Sequence, residues 1–427
     1  MKAYADFIVD KYRLRPHLEL GMDVTKREWD ERRHLWRLEL ADGTVITSRY
    51  VITAVGVFTD PKVPDIKGLS RFTGKVIQTQ DWDWSCNLAG KRIGVIGTGA
   101  TSVQMIPEVA KSAGTLYVFQ RSATWVFPKP DFRIPRLART VFRRFPFSMR
   151  ALRGLVSAVY GLAIYGVTIH GARYPLLSRL PAWALQAYLW TQVREPGLRR
   201  RLTPEYQFGC KRPSISNTYY STFTKPHVEL VTDRIVEITA QGIRTADNKE
   251  RKLDVLVLAT GFQTFSDPEV YRRRPVIGRD DFDLADFYER HRLEAYEGVS
   301  LPLLPNPFSI FGPFSWSGGA WHEMVETQAL HITRVLTQAR RRGATAVSVT
   351  PESNERFSRF VRAKAATSLV QTGCAGSGTY YLDHHGEFSL LRPTTSAQAR
   401  HAARIFPVDD YAYETLAHSV TYHPDLS

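Results

Sequence analysis

Lys91-Arg92-Ile93-Gly94-Val95-Ile96-Gly97-Thr98-Gly99-Ala100-Thr101-Ser102 is the stretch on which the reading of this chain turns. An apolar run enters Gly-x-Gly-x-x-Ser, a helical segment follows from Val103 to Ala110, and Leu116-Tyr117-Val118-Phe119 forms a second apolar strand. Gly97 permits the tight turn. Gly99 lets a pyrophosphate approach the helix N-terminus, where free N–H groups and the helix dipole favour an anion. Ser102 is small enough at the third position for helix to pack closely on strand. A purely structural strand–turn–helix is the alternative. The placement between two strands favours a dinucleotide held by Gly97, Thr98, Gly99, Ala100, Thr101 and Ser102.

The end of the second strand selects between nucleotides. A site for the unphosphorylated dinucleotide places Asp or Glu there, to bond the ribose 2′-hydroxyl. This chain has Gln120-Arg121-Ser122. Arg121 can pair with a 2′-phosphate and no carboxylate beside it competes, so NADP(H) is preferred over a reading of Arg121 as a solvated surface residue.

Working outward, a small β-meander that ends in an apolar strand occurs twice. The first copy runs through Leu18-Glu19-Leu20, Trp36–Leu40, an Asp42-Gly43 turn and Val45-Ile46-Thr47 to the strand Tyr50–Ala54 and Val55-Gly56. The second runs through Val228–Val231, Ile235–Ile238 and Gly242–Thr245 to Asp254–Leu258 and Ala259-Thr260-Gly261-Phe262. The second copy closes the domain that Gly97 opens. The first closes a domain whose opening strand and glycine loop would precede Met1. The expected fold is therefore α/β, with two dinucleotide-binding domains of which the first is incomplete. Residues 1–88 form the first part of one domain, 89–131 with 205–263 the NADP-binding domain, 132–204 a helical basic insertion, and 264–427 the C-terminal part of the first domain.

Composition narrows the function. The chain has 427 residues, 43% hydrophobic and 23% charged, as in a folded protein, with a net charge of +15. Thirteen arginines and one acid, Glu195, lie between Arg133 and Arg201, so most of the excess charge sits in the insertion. No zinc knuckle, helix-turn-helix or aromatic RNA-binding pattern accompanies it, which argues against nucleic acid. Residues 154–172 carry no Asp, Glu, Lys or Arg. They are read as a buried helix, with a membrane-surface helix and a membrane span as alternatives. Residues 1–11 are expected to form an amphipathic helix, and a helix is expected near His322–Arg342. Cys86, Cys210 and Cys374 are far apart in sequence, which argues against a disulfide framework or a cysteine zinc site and suits a reducing cytosol. No apolar signal core follows Met1-Lys2, so a cytoplasmic protein is expected. The histidines lack the His-Glu-x-x-His spacing of a metal site, and Gly-x-Ser-x-Gly and Walker loops are absent.

With these motifs in place a resemblance becomes specific. Phe72-Thr73-Gly74-Lys75-Val76-Ile77-Gln78-Thr79-Gln80-Asp81-Trp82-Asp83 resembles the Phe-x-Gly-x-x-x-His-x-x-x-Trp signature of Baeyer–Villiger monooxygenases, class B flavoproteins that use FAD and NADPH. Gly209-Cys210-Lys211-Arg212-Pro213, Asn217 and Tyr219-Tyr220 resemble the family's segment before its second meander, and Asp254–Phe262 its second Ala-Thr-Gly motif. The resemblance implies that Lys211 assists Arg121 and Ser122 at the 2′-phosphate. It also implies that Thr260 and Gly261 border the cofactor, and that Arg212 is the catalytic arginine holding a C4a-peroxyflavin that attacks a lipophilic ketone with oxygen taken from O2. Read from the residues alone, Lys211-Arg212 could equally be a surface pair. Gln78 replaces the signature histidine, and Tyr380-Tyr381 stands where the family has Trp-Tyr, which leaves flavin N- or S-oxygenation as an alternative. The FAD fingerprint would precede Met1, so the chain is expected to hold FAD poorly and to be inactive if truncated. The reading from a different class is a non-catalytic NADP(H)-binding protein that docks on a membrane or partner through 132–204.

Overall fold

A five-stranded parallel sheet positions the glycine turn. Its order is Val228–Val231, Thr115–Phe119, Arg92–Ile96, Val255–Leu258, Lys75–Gln78. The strand that feeds Gly97 is thus the central one, and the three inner strands are short, mostly apolar runs of the kind buried on both faces, whereas the edge strands Lys75–Gln78 and Val228–Val231 keep exposed positions. The computed structural model describes residues 2–58 and 60–416. One face of the sheet presents Ile93, Val95, Leu116 and Val257 to Val103 and Ile106 of helix α2 (Ala100–Val109). The other presents Ile96, Leu256 and Leu258 to Ile238, Ile243 and Leu253 of the second meander. Asp254 bonds the Arg92 backbone N at 2.8 Å and its guanidinium Nη2 at 2.6 Å, tying the two central strands at their start.

Two strands sit differently from the sequence reading. Lys75–Gln78, within the 1–88 segment, pairs with Val255–Leu258 and belongs to the NADP-side sheet. Val228–Val231 is an edge strand of the same sheet, and the second meander consists of Ile235–Ile238, Gly242–Thr245 and Glu250–Lys252. Short apolar runs carry no register information, so their sheet could not be told from spacing.

The first meander is β1 (Val24–Asp30), β2 (Leu35–Leu40) and β3 (Val45–Ser48), extended by Val276–Ile277 from the C-terminal part. Leu18-Glu19-Leu20, expected to be extended, forms no strand and is exposed. Its place is taken by β1, whose Trp29 packs with Trp36, Leu284 and Tyr288. Strand β4 (Val51–Thr53) pairs in parallel with Pro307–Ser309 and, among the described residues, with nothing on its other edge. Ile52, Val55 and Phe58 remain exposed around it. Helix α1 (Lys2–Lys11) forms as expected, but its apolar side, Tyr4 and Phe7, is uncovered.

The 132–204 insertion is helical: α3 (Arg136–Arg144), α4 (Pro146–His170) and α5 (Leu176–Gln192). The expectation of a buried helix holds only for the C-terminal turns of α4, where Gly161, Val167, Thr168 and Ile169 are buried. Almost everything from 146 to 160 is exposed. By length and composition α4 is long and apolar enough to cross a membrane. The C-terminal part contributes the largest core, around Tyr296, Trp316, Val335 and Phe357, backed by the helix Trp321–Arg342.

One expectation is overturned. Cys210 and Cys374 form a disulfide across 164 residues of sequence. Sequence distance misled because the fold lays the Gly209–Pro213 loop against Leu369–Gly378, where both sulfurs are wholly buried. Cys86 is the free cysteine.

Candidate functional site

Ligands of open parallel sheets bind at the carboxyl ends of the strands, and the predicted turn lies there. Gly97 has φ 114°, and a Cβ on it would fall 2.3 Å from the Ala259 carbonyl oxygen, so the turn requires glycine for both conformation and space. Gly99 is the N-cap of α2, and a Cβ on it would meet nothing within 4 Å. The glycine fingerprint therefore has one position closed by protein and one open to a ligand. Ala100 and Thr101 are exposed in the first turn of α2, beside backbone N–H groups without helical acceptors. Ser102 is fully buried and its Oγ has no partner among the described residues. The Thr98 hydroxyl donates to the Ser122 carbonyl at 2.7 Å, locking the glycine turn to the end of the second strand.

Arg121 emerges exposed from that strand end, and Lys211 reaches it from the loop after Gly209. Around Gly378 the two cations converge: a Cβ there would lie 3.9 Å from Arg121 Nη2 and 4.0 Å from Lys211 Nζ. Neither has a carboxylate partner within the described residues. Burial lowers the Lys211 pKa below the ordinary lysine value, and the neighbouring Arg121 charge lowers it further. Lys211 Nζ also lies 4.8 Å from the centre of the Tyr206 ring. Two cations brought together without a carboxylate partner among the described residues, near the open start of α2, are chemically suited to a polyanion. The residues fit an NADP(H) pyrophosphate on Gly97–Ser102 and a 2′-phosphate on Arg121 and Lys211.

Arg212 points elsewhere. Its Cζ stands 5.3 Å from the Trp316 ring centre, and Trp316 stacks on Trp321 at 4.9 Å with an interplanar angle of 9°. Tyr380 and Tyr381 pack edge-on to each other beside it, and burial raises the pKa of both hydroxyls. Phe58 joins Phe262, Trp321 and Tyr380. The disulfide anchors the backbone between these groups, since Cys210 immediately precedes Lys211 and Arg212.

The structure therefore brings together Gly97, Thr98, Gly99, Ala100, Thr101, Ser102, Arg121, Ser122 and Lys211, and it sets Arg212 on an aromatic wall. Thr260 and Gly261 stand at the same sheet end but are engaged locally: the Thr260 hydroxyl donates to the Lys62 carbonyl, and the Gly261 carbonyl accepts from Lys62 N. Gln78 is bonded by Gln80 through the side-chain amides at 2.6 Å. The aromatic wall was missed at the sequence level because Phe58, the Trp316–Trp321 pair and Tyr380 come from three separated segments. Glu31, His34 and Glu414 also meet in space. There, however, Arg279 bonds both carboxylates at 2.9–3.0 Å and already supplies the positive charge.

Comparison with known proteins agrees with this geometry. Residues 42–137 match the family described as flavin-binding monooxygenase-like. A Baeyer–Villiger monooxygenase of Pseudomonas aeruginosa is 33% identical over 97% of this chain and 77% of its own length. One of Streptomyces coelicolor is 32% identical over 96% of this chain and 78% of its own. Among solved structures, cyclohexanone monooxygenase from Rhodococcus sp. Phi1 bound to NADP+ superposes with a TM-score of 0.83 at 25% identity, covering 97% of this chain and 84% of the other. The glycine turn, the paired cations and relatives matching along nearly the whole chain lead to one assignment: the protein belongs to the Baeyer–Villiger monooxygenases, flavoprotein enzymes of the flavin-binding monooxygenase-like family.

Proposed function

We propose that this chain uses NADPH, with FAD as second cofactor, to insert one oxygen atom of O2 into a lipophilic ketone. The observation that carries the reading is the convergence of Arg121 and Lys211 on Gly378, beside a glycine turn open at Gly99. Bound FAD supplies the oxygen-activating chemistry. Among the described residues no second glycine turn joins a strand to a helix N-terminus, so the contribution assigned to this chain is on the nicotinamide and substrate side. Gly97 to Ser102 hold the pyrophosphate, and Arg121 with Lys211 select the 2′-phosphorylated nucleotide. The stacked Trp316 and Trp321, with Tyr380 and Phe58, give an apolar surface that excludes water and suits a lipophilic substrate. Arg212, fixed over Trp316, offers a guanidinium to the oxygen of a carbonyl as it gains negative charge, where a preorganised cation in a water-poor site is most effective.

The direct test is NADPH-dependent O2 consumption by FAD-reconstituted protein presented with ketones, read together with product mass. Support is an ester or lactone heavier than the ketone by one oxygen. Flavin-loaded, folded protein that consumes no O2 with NADPH and any ketone would contradict the proposal. Gln78, at the signature's histidine position, favours a second reading, N- or S-oxygenation. The same assay with amines and sulfides separates the two by which substrate gains the oxygen.

A further inference from the structure

The exposed end of the insertion does not fit a water-facing surface. Helices α3 and α4 meet through the single joining residue Phe145, and the bend they form is the α3–α4 hairpin. Leu137, Phe147, Leu152, Leu155 and Val159 are all exposed there, Leu137 by 76% and Phe147 by 68%. A monomer rarely leaves so contiguous an apolar patch uncovered. The same hairpin, residues 132–153, contains seven arginines and no acid. Among the described residues only Arg153 has a carboxylate partner, Glu326 at 3.2 Å. Arg133, Arg136, Arg139, Arg143, Arg144 and Arg150 have none among the described residues.

We propose that the α3–α4 hairpin docks the protein on an anionic phospholipid surface, its apolar residues entering the acyl boundary and its arginines meeting the headgroups. Charge selects this occupant. A second copy of the hairpin would bring like charge against like, and nucleic acid would leave the apolar residues in water. An anionic bilayer satisfies both features at once. The hairpin lies on the surface and does not span it. Within α4 only Gly161, Val167, Thr168 and Ile169 are buried, and even with the exposed Leu162 and Ala163 included the exposed stretch 146–163 is about 27 Å long at ~1.5 Å per residue, short of a ~30 Å hydrocarbon core. The buried end of α4 reaches the site: Ile164 packs against Gly318, two residues from the Trp316 that carries Arg212. Combined with the oxygenase reading, this would lead a lipophilic substrate from the bilayer along α4 to the aromatic wall. That consequence rests on the proposed function, whereas lipid docking does not.

The test is co-sedimentation of the full chain with vesicles of phosphatidylglycerol and phosphatidylcholine, against phosphatidylcholine alone, at low salt and at 0.5 M salt. Binding should require phosphatidylglycerol and weaken with salt. Each arginine at an anionic surface contributes a factor of about five, so the triple variant Arg136→Gln, Arg143→Gln, Arg144→Gln should bind about a hundredfold more weakly. These positions are exposed, so folding should survive. Phe147→Ser with Leu155→Ser, which leaves every charge in place, should also release the protein. The proposal is overturned if the chain ignores both vesicle types, if it binds phosphatidylcholine equally well, or if the triple variant binds undiminished. Self-association that buries the hairpin, seen by sedimentation velocity and abolished by the Phe147 and Leu155 substitutions, would overturn it in favour of a second copy.

Discussion

Removing the Arg121 guanidinium should separate the two nicotinamide nucleotides. Arg121 and Lys211 flank the same point near Gly378 and have no carboxylate partner among the described residues, so in the proposed site each would make a charge-assisted hydrogen bond to a 2′-phosphate. Such a bond contributes about 1.5–3 kcal/mol net. Arg121→Ala should therefore weaken NADPH by roughly 10- to 150-fold, since ~1.4 kcal/mol is tenfold. NADH has no phosphate there and should be affected by less than about threefold. Because Arg121 holds the Lys211 pKa down, the substitution should also let that pKa rise toward the ordinary lysine value. The sign follows. In the parent protein Lys211 loses its proton at a pH below that of a free lysine, so NADPH affinity should decline with rising pH earlier than in Arg121→Ala. Isothermal titration with both nucleotides across pH 7–10 measures each quantity. An equal loss for NADPH and NADH, or none, would refute the assignment of Arg121 to the phosphate.

Four further outcomes follow from particular contacts. Gly99→Ala should fold with little change in melting temperature and lose dinucleotide binding, because its Cβ meets only the open space that the proposed pyrophosphate would take. Gly97→Ala should lose both, because φ is 114° and the Ala259 carbonyl is 2.3 Å from the new carbon; thermal melts with and without NADP+ distinguish them. Reduction of Cys210–Cys374 opens a cross-link spanning 164 residues that chain entropy values at about 5 kcal/mol. Reductant or Cys210→Ser should then lower the melting temperature by several degrees and loosen Lys211 and Arg212, read as weaker NADPH binding. Asp254, held near pKa 2 by the Arg92 side chain and backbone N–H, stabilises the fold above its unfolded pKa and loses that contribution as pH falls toward 2. Its pair is partly exposed, so Asp254→Asn should cost only about 1 kcal/mol at pH 7 in urea unfolding, shrinking by pH 3.

What could be read beforehand follows from how local each feature is. The glycine turn is local: Gly97, Gly99 and Ser102 are fixed by the geometry of one strand, one turn and one helix, and the structure places them at the sheet end expected. Arg121 was legible by its offset from that turn. Lys211 was legible only through a family resemblance, because the loop after Gly209 is far away in sequence and meets Arg121 by folding. The disulfide was misread for the same reason, since nothing near Cys210 announces Cys374. Strands as short as Lys75–Gln78 and Val228–Val231 could not declare their sheet, because four residues at a sheet edge are too few to show a period. The aromatic wall around Arg212 depends on tertiary packing of Phe58, Trp316, Trp321 and Tyr380. The exposed half of α4 differs from the expectation of a buried helix because composition records apolarity and not what covers it.

In the proposed site an open glycine turn and two cations, without carboxylate partners among the described residues, select the phosphorylated dinucleotide. The most direct measurement is the ratio of NADH to NADPH dissociation constants for the unaltered chain at pH 7. NADPH should bind tighter by about a hundredfold or more, from two charge-assisted bonds; equal affinity for the two, in a folded sample, would rule out selection by Arg121 and Lys211.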